Sequence, residues 1–354
     1  MKKTLVAAVA AFVLGLSQAQ AADPVVSWRM PAAVPEGSFF YNNFMQRFAD
    51  NTDRLTAGRV KIQPFGAGVV VPAFKVYESV QDGVVEAGHS TPSFLVNADP
   101  TNAIFASFPG GMGPEGTLTW LYEAGGEKLL QDFRKEKMGL HSMVVGVGTS
   151  EIFAHSNKPI RTVDDLKGLK YRTSGAWATV LKDSFGAVPT VVPPGEIYTL
   201  LQRKGVDAVE WATPSANMSE GFHEVAPYLI LPGVHQPSFV WEVVVKQDTW
   251  NKVPDDLKSL ITAAAKLTTY ESLSHFARED VKAMEVYRKT KVEIITLDDK
   301  SVGQLRAAGR QWALETASKR KAEGDATMSK VLDSYLGYQN ELTANSSYLV
   351  RDGK

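Results

Sequence analysis

Tyr198-Thr199-Leu200-Leu201-Gln202-Arg203-Lys204-Gly205-Val206-Asp207-Ala208-Val209-Glu210 reads as a helix, a glycine stop and a strand that starts at once. The same order appears about 120 residues earlier, in Tyr77 to Gly88, where a helix runs into Gln81-Asp82-Gly83-Val84-Val85-Glu86-Ala87-Gly88. A helix–glycine–strand unit used twice predicts two similar lobes, although so short an echo also arises by chance. Around the first copy, the pattern predicts a strand over Val25–Met30 and a helix over Ser38–Leu55 with Phe40, Phe44 and Phe48 on one stripe. A strand over Arg59–Phe65, a helix over Pro72–Gln81 and a strand over Val84–His89 follow. This β-α-β-α-β opening predicts an open, largely parallel sheet flanked by helices. Around the second copy lie strands at His141–Val147, Glu151–His155 and Leu169–Arg172, then helix Ala176–Phe185, strand Val188–Val192, helix Gly195–Arg203 and strand Val206–Trp211. Pro254–Lys289 is helical with almost no Gly or Pro, longer than most globular helices, and reads as a brace or an oligomer arm. Ser301–Lys321 and Asp325–Leu342 add two helices, and Ser346–Lys354 reads as a loose end.

The start of the chain is expected to be a leader. Lys2 and Lys3 precede the apolar run Leu5–Leu16, and Ala19-Gln20-Ala21 offers a small-residue cleavage site. The apolar run is too short to span a bilayer, and no later stretch has the required length of about 20 apolar residues. Losing Lys2 and Lys3 with the leader moves the formal charge from −1 to −3. That balance argues against nucleic acid and against a polybasic membrane contact. The chain has no cysteine, which excludes thiol catalysis and cysteine metal sites and leaves an exported fold to its core alone. Leader and missing disulfides together favour the periplasm of a Gram-negative cell as the expected location.

Several motifs carry less than they promise. Gly111-Met112-Gly113-Pro114-Glu115-Gly116 fits G-x-G-x-x-G, but Pro114 removes a backbone donor and Glu115 adds a negative charge where a phosphate would sit, so no dinucleotide cofactor is expected. The six histidines show no H-x-x-x-H or H-E-x-x-H spacing and read as scattered core or surface residues. No G-x-S-x-G elbow and no nucleophile–base pair is present. Arg172 stands out. Thr162 and Asp165 form a capping-box pattern, Gly168 closes that turn, and Leu169–Arg172 delivers the guanidinium to a strand end before Thr173-Ser174-Gly175. There it offers a rigid fork of donors to a carboxylate; the plain alternative is a surface ion pair. Glu210 and Trp211 sit at the carboxyl end of another strand, where open α/β sheets place ligands. Glu242 interrupts the apolar strand Phe239–Val245, where a charge needs a partner or a metal unless it faces solvent on an edge.

Lys158-Pro159-Ile160 through Leu169-Lys170-Tyr171-Arg172, with Gly195-Glu196-Ile197-Tyr198, Asp207-Ala208-Val209-Glu210-Trp211, Gly221–Tyr228 and Pro232-Gly233-Val234-His235, resemble the extracytoplasmic solute-binding proteins of TRAP transporters, the DctP type. The resemblance covers essentially the whole mature chain and lies nearest the branch that binds 2-oxo and 2-hydroxy monocarboxylates such as pyruvate and lactate. It implies a two-lobed α/β periplasmic-binding-protein-like fold with open mixed sheets, a long bracing helix and C-terminal helices. The expected division is a leader over 1–21, lobe I over 22–145 with segments returning from about 240 on, lobe II over 146–238, and brace and C-terminal helices over 254–342. It implies that Arg172 pairs with the substrate carboxylate. Glu210, the Trp211 backbone and Glu242 would hold a cation beside it, Glu242 also touching substrate, and Thr149 or Ser150 would supply the polar group before Phe153. In that stretch, Gly148-Thr149-Ser150-Glu151 lacks the family's Gln or Asn, and Phe94 stands where many relatives have Tyr.

Charge arithmetic supports a cation independently. Arg172, two glutamates and an anionic ligand sum to −2, which is unfavourable in a closed cleft; a monovalent ion brings this to −1 and a divalent one to 0. Carboxylate and carbonyl oxygens suit hard ions, so Na⁺ or Ca²⁺ is expected. The implied partners are an organic-acid ligand and TRAP membrane permease subunits, with a homodimer through the late helices as a further option. Two other classes stay open on the sequence: an exported enzyme with Glu210 or Glu242 as general base, and a ligand-binding sensor domain. Trp177, Trp211, Trp241, Phe94 and Phe108 are candidates for the pocket wall.

Overall fold

The computed structural model describes residues 24–348. The expected leader, and residues 349–354 of the expected loose end, lie outside the described residues. Strands are numbered in chain order. β1 (Val26–Pro31) and β2 (Val60–Phe65) pair in parallel with Trp28 opposite Ile62. An Ala32–His89 bridge links them to β3 (Ala87–Ser90). The parallel opening stops there. β10 (Phe239–Lys246) enters between β3 and β4 (Leu140–Gly148) and runs antiparallel to both, so this first sheet is mixed. Its central strand comes from far downstream because the chain returns to this sheet after building the second one.

The second sheet has six strands in the order β11 (Glu293–Thr296), β9 (Tyr228–Leu231), β5 (Ala154–Ser156), β8 (Ala208–Val209), β6 (Lys170–Arg172) and β7 (Val188–Thr190). β5 runs antiparallel to β8 and β9, and the other pairs are parallel. β8 is shorter than the Val206–Trp211 pattern predicts, which leaves Glu210 and Trp211 just beyond its carboxyl end.

Residues 149–153 and 232–238 carry the chain between the sheets side by side. Glu151 N donates to Gln236 O at 3.2 Å, and Ile152 N to Ala212 O at 2.9 Å. Glycine is required where these segments press together: a Cβ on Gly233 would lie 1.9 Å from Glu151 O, and one on Gly148 would lie 1.8 Å from the Phe239 ring. The long helix Asp255–Tyr287 spans about 50 Å at 1.5 Å per residue. Its first half packs on the first sheet, where Thr269 Oγ1 donates to Val144 O at 3.2 Å. Its second half meets the second sheet, with Ala283 and Tyr287 in one cluster with Ile152 and Leu229.

The phenylalanine stripe is as the spacing predicts. Phe40, Phe44 and Phe48 are all buried, and Phe44 stacks on Phe276 of the long helix at 5.1 Å between ring centres. Gly168 takes φ +72° and ends the 3₁₀ turn Val163–Leu166, whose Asp165 carboxylate accepts from Thr162 N at 3.0 Å. The stretch Gly111–Gly116 is a connection docked on the C-terminal helix: Met112 N donates to the Tyr335 hydroxyl at 2.5 Å, and Pro114 opens the helix Pro114–Glu123.

Candidate functional site

A pocket lies between the lobes where the two crossing segments run. Phe40, Ser93 and Phe94 line it from the first lobe, with Trp241 on β10. Ser174, Trp177, Glu210 and Trp211 face them from the second lobe. Glu151, His235 and Gln236 enter from the crossings themselves. The cavity is small, with room for about two or three waters or a short acid. Of the five aromatic candidates, Phe94, Trp177, Trp211 and Trp241 reach this wall; Phe108 instead packs against Tyr335 on the far side of the first lobe.

Arg172 ends β6 directly behind this wall and is fully buried. Its Nη1 donates to Glu210 O at 2.7 Å and its Nη2 to Val192 O at 3.1 Å, while Nε has no partner. Two of the five guanidinium N–H groups are thus engaged and three remain for an acceptor. The cation lies 5.6 Å from the Trp211 ring centre and its Nη1 is 3.6 Å from Glu210 Oε1. Burial draws the Arg172 pKa down from its ordinary value, against the raising effect of the Glu210 and Glu151 charges.

Three ionisable side chains converge beside it. Glu210 Oε1 accepts from Ser174 N at 3.0 Å. His235 Nε2 stands 3.3 Å from Glu151 Oε2 and 3.9 Å from Glu210 Oε2. These are ion-pair contacts without the alignment of hydrogen bonds, so both His235 nitrogens and Glu151 Oε2 have no hydrogen-bond partner. All three residues are buried, and one donor atom from each lies within 4.8 Å of the others. Burial works to raise Glu210, but contact with His235 and the Arg172 charge outweigh it and hold Glu210 below the usual carboxylate range. Burial pushes Glu151 well up, helped by the neighbouring Glu210 charge. For His235 burial acts downward, and the two carboxylates overcome it and raise the imidazole above its ordinary value. The cluster therefore holds its negative charge mainly on Glu210 and a positive charge on His235.

Glu242 is elsewhere. Trp241 and Glu242 are consecutive on β10, and strand alternation puts them on opposite faces. Trp241 faces the pocket, and Glu242 faces the helix Gly126–Met138 on the other side. There Arg134 holds it through Nε at 3.0 Å and Nη2 at 2.5 Å, and the Tyr77 hydroxyl donates to it at 2.6 Å. Ser142 donates to its second oxygen, and Arg134 Nη1 reaches Asn102 Oδ1 at 2.6 Å. The expected metal and substrate role of Glu242 is corrected: it is the acidic half of a fully buried ion pair in the first lobe. Thr149 and Ser150 are also outside the lining. The Thr149 hydroxyl bonds the Asp280 carboxylate on the long helix, and Ser150 Oγ lies 3.4 Å from Glu151 O. Glu151 and His235 carry little local signal of this position: Glu151 follows Ser150 in a stretch without the family's Gln or Asn, and His235 has no second histidine at a ligand spacing.

A pocket between two α/β lobes crossed side by side by the chain, with a buried arginine and one acid at strand ends and a second acid on a crossing, defines a two-lobed solute-binding protein. The chain belongs to the DctP family, bacterial extracellular solute-binding protein family 7, which matches residues 31–319. It is 32% identical over 250 residues, 70% of this chain and 67% of the relative, to a monocarboxylate 2-oxoacid-binding periplasmic protein of Nostoc. Its fold superposes with a TM-score of 0.84 on a TRAP periplasmic solute-binding protein of Pseudoalteromonas atlantica with bound sodium and pyruvate, at 28% identity, covering 91% of this chain and 96% of that one. It superposes equally, at 26% identity and covering 91% and 97%, on one from Colwellia psychrerythraea with bound calcium and pyruvate. Among the described residues, no helix is long and apolar enough to cross a membrane.

Proposed function

We propose that this protein is the periplasmic solute-binding component of a TRAP transporter and that it captures a small 2-oxo or 2-hydroxy monocarboxylate for delivery to the membrane permease. The observation that carries this reading is Arg172, buried at a strand end beside the interlobe pocket with three donors unspent. A carboxylate set against Nε and a free Nη hydrogen makes the paired, in-plane bonds that arginine supplies best. The small pocket favours a short acid over a sugar acid. The residues fit a cation beside that acid, because Glu151 Oε2 and His235 are buried without partners next to the Glu210 carboxylate. Glu210 and Glu151 would hold it, in place of the Glu210–Glu242 pair, and it would give the 2-oxygen of the ligand something to coordinate. When both acids ionise and His235 is neutral, Glu210, Glu151, Arg172 and a monoanion sum to −2, so a cation would take the place of the protons that the cluster otherwise holds on Glu151 and His235.

A thermal-shift panel of 2-oxo, 2-hydroxy, aromatic and dicarboxylic acids tests the ligand class. A true ligand at about 100 times its Kd stabilises by roughly 2.7 kcal/mol, and the gain should fall on pyruvate- and lactate-like acids. No stabilisation by any short monocarboxylate would overturn the reading. Recovery of each acid unchanged after incubation separates a binder from an enzyme.

Because the pocket takes walls from both lobes, ligand should draw them together. X-ray scattering is expected to give a smaller radius of gyration with saturating ligand, and superimposable curves would contradict closure.

A further inference from the structure

We propose that Asp280 is a positioning residue for the binding pocket: from the long helix it grips Thr149 and Ser215, on the two segments that carry Glu151 and Glu210, and so fixes the separation of those two carboxylates. The proposal rests on reading the pocket as an acid-binding site that Glu151 and Glu210 serve. Asp280 is 9% exposed and stands outside the pocket lining. Its Oδ2 accepts from the Thr149 hydroxyl, and its Oδ1 accepts from Ser215 N at 2.9 Å and Ser215 Oγ at 2.6 Å. Thr149 stands two residues before Glu151 on the first crossing, and Ser215 five residues after Glu210. The long helix holds the second segment once more, where the Tyr287 hydroxyl donates to Pro214 O at 3.3 Å.

These anchors matter because the head group of Glu151 is loosely held. Its Oε2 has no hydrogen-bond partner, only the ion-pair contact to His235 at 3.3 Å, so that carboxylate takes its place from the backbone beneath it. The two segments already meet once, where Ile152 N donates to Ala212 O at 2.9 Å. A single tie is a pivot, and Asp280 adds the second tie that fixes the angle. Helix capping accounts for only half of this. Thr213 makes no side-chain cap on the helix Pro214–Ser219, and Asp280 fills that place by accepting from Ser215 N. Thr149 belongs to the crossing and to no helix, so its bond to the same carboxylate serves the junction of the two segments. Ligand-holding side chains need placing to within about 0.5 Å, and the groups that orient them are worth about 10- to 100-fold in affinity.

The test measures pyruvate affinity by titration calorimetry in NaCl and in CaCl₂, well below the Tm of each variant. Asp280→Ala should weaken binding by about tenfold or more. Asp280→Asn keeps an oxygen for Ser215 and offers an N–H to the Thr149 hydroxyl, so it should return to within about threefold of the wild type. Thr149→Val cuts only the leg to the crossing, leaves the helix cap in place, and should reproduce most of the Asp280→Ala loss. A merely structural role lowers Tm and leaves no coupling to Glu151. In a Glu151→Gln background, Thr149→Val should therefore cost less than about twofold, because the carboxylate that this leg positions is gone. Should Asp280→Ala fail to fold, the cycle between Thr149→Val and Glu151→Gln decides alone. Asp280→Ala with affinity within about twofold of the wild type would overturn the proposal, as would a Thr149→Val loss of equal size in both backgrounds. Either result leaves the acid-binding reading intact. Wild-type protein that binds neither pyruvate nor any other short 2-oxo acid in either salt would sink that reading and this proposal with it.

Discussion

Glu242→Gln is expected to destabilise the first lobe by about 3–5 kcal/mol, because it leaves the Arg134 guanidinium charged, fully buried and without its counter-ion. For a chain of this size that is a fall in Tm on the order of 10 °C, readable by calorimetry or by circular dichroism. The effect is large because the pair is a hub. Arg134 uses Nε and Nη2 on Glu242 and Nη1 on Asn102, while Tyr77 and Ser142 donate to the same carboxylate, so one substitution disturbs contacts from three helices and two strands. Arg134→Met should be comparably harmful, since it strands the acid. The double variant should be less destabilised than the sum of the two, the coupling that marks a true pair. Acid affinity and its cation dependence should be unchanged in Glu242→Gln, because Trp241 and Glu242 face opposite sides of β10. A variant as stable as the wild type would refute the buried-pair account. Loss of cation dependence at full stability would return Glu242 to the pocket.

That case shows what the sequence could carry and what it could not. β10 is buried on both faces, so its residues show no polar–apolar alternation from which the direction of Glu242 can be read. Its partner lies 108 residues away, on the helix Gly126–Met138, so nothing local to β10 names it. The long helix, the phenylalanine stripe and the strand that delivers Arg172 were legible, because each depends on local period and on stop signals such as Gly168. Glu210 was legible as a strand-end acid. His235 was not: short-range spacing of histidines detects ligands carried on one helix, whereas this cluster joins residues 151, 210 and 235 through chain crossings that exist only after the lobes have formed. The same limit explains Thr149, whose hydroxyl is taken by Asp280 from a helix 131 residues downstream.

Arg172→Lys is expected to weaken acid binding by about 10- to 100-fold, the equivalent of one charge-assisted hydrogen bond at about 1.5–3 kcal/mol. The lysine keeps the positive charge, so the pocket's charge balance is preserved and the loss isolates geometry. Arginine reaches Glu210 O and Val192 O with Nη1 and Nη2 and still presents Nε and one hydrogen on each Nη, whereas a single ammonium has three donors in all. Two of those three would be needed for the backbone carbonyls, leaving one for the ligand where the guanidinium offers a pair. Arg172→Met should go further and abolish detectable binding, because it also removes the charge that helps hold Glu210 ionised. Methionine leaves both carbonyls unsatisfied and lysine must reach them with a shorter head group, so both variants should lose stability, and the informative quantity is affinity measured by titration calorimetry well below each variant's own Tm. The lysine variant separates the two possible roles of this residue. A drop in Tm with affinity within twofold of the wild type would mean that Arg172 only ties β6 to the loop at Val192, and that the acid is held by other donors in the pocket.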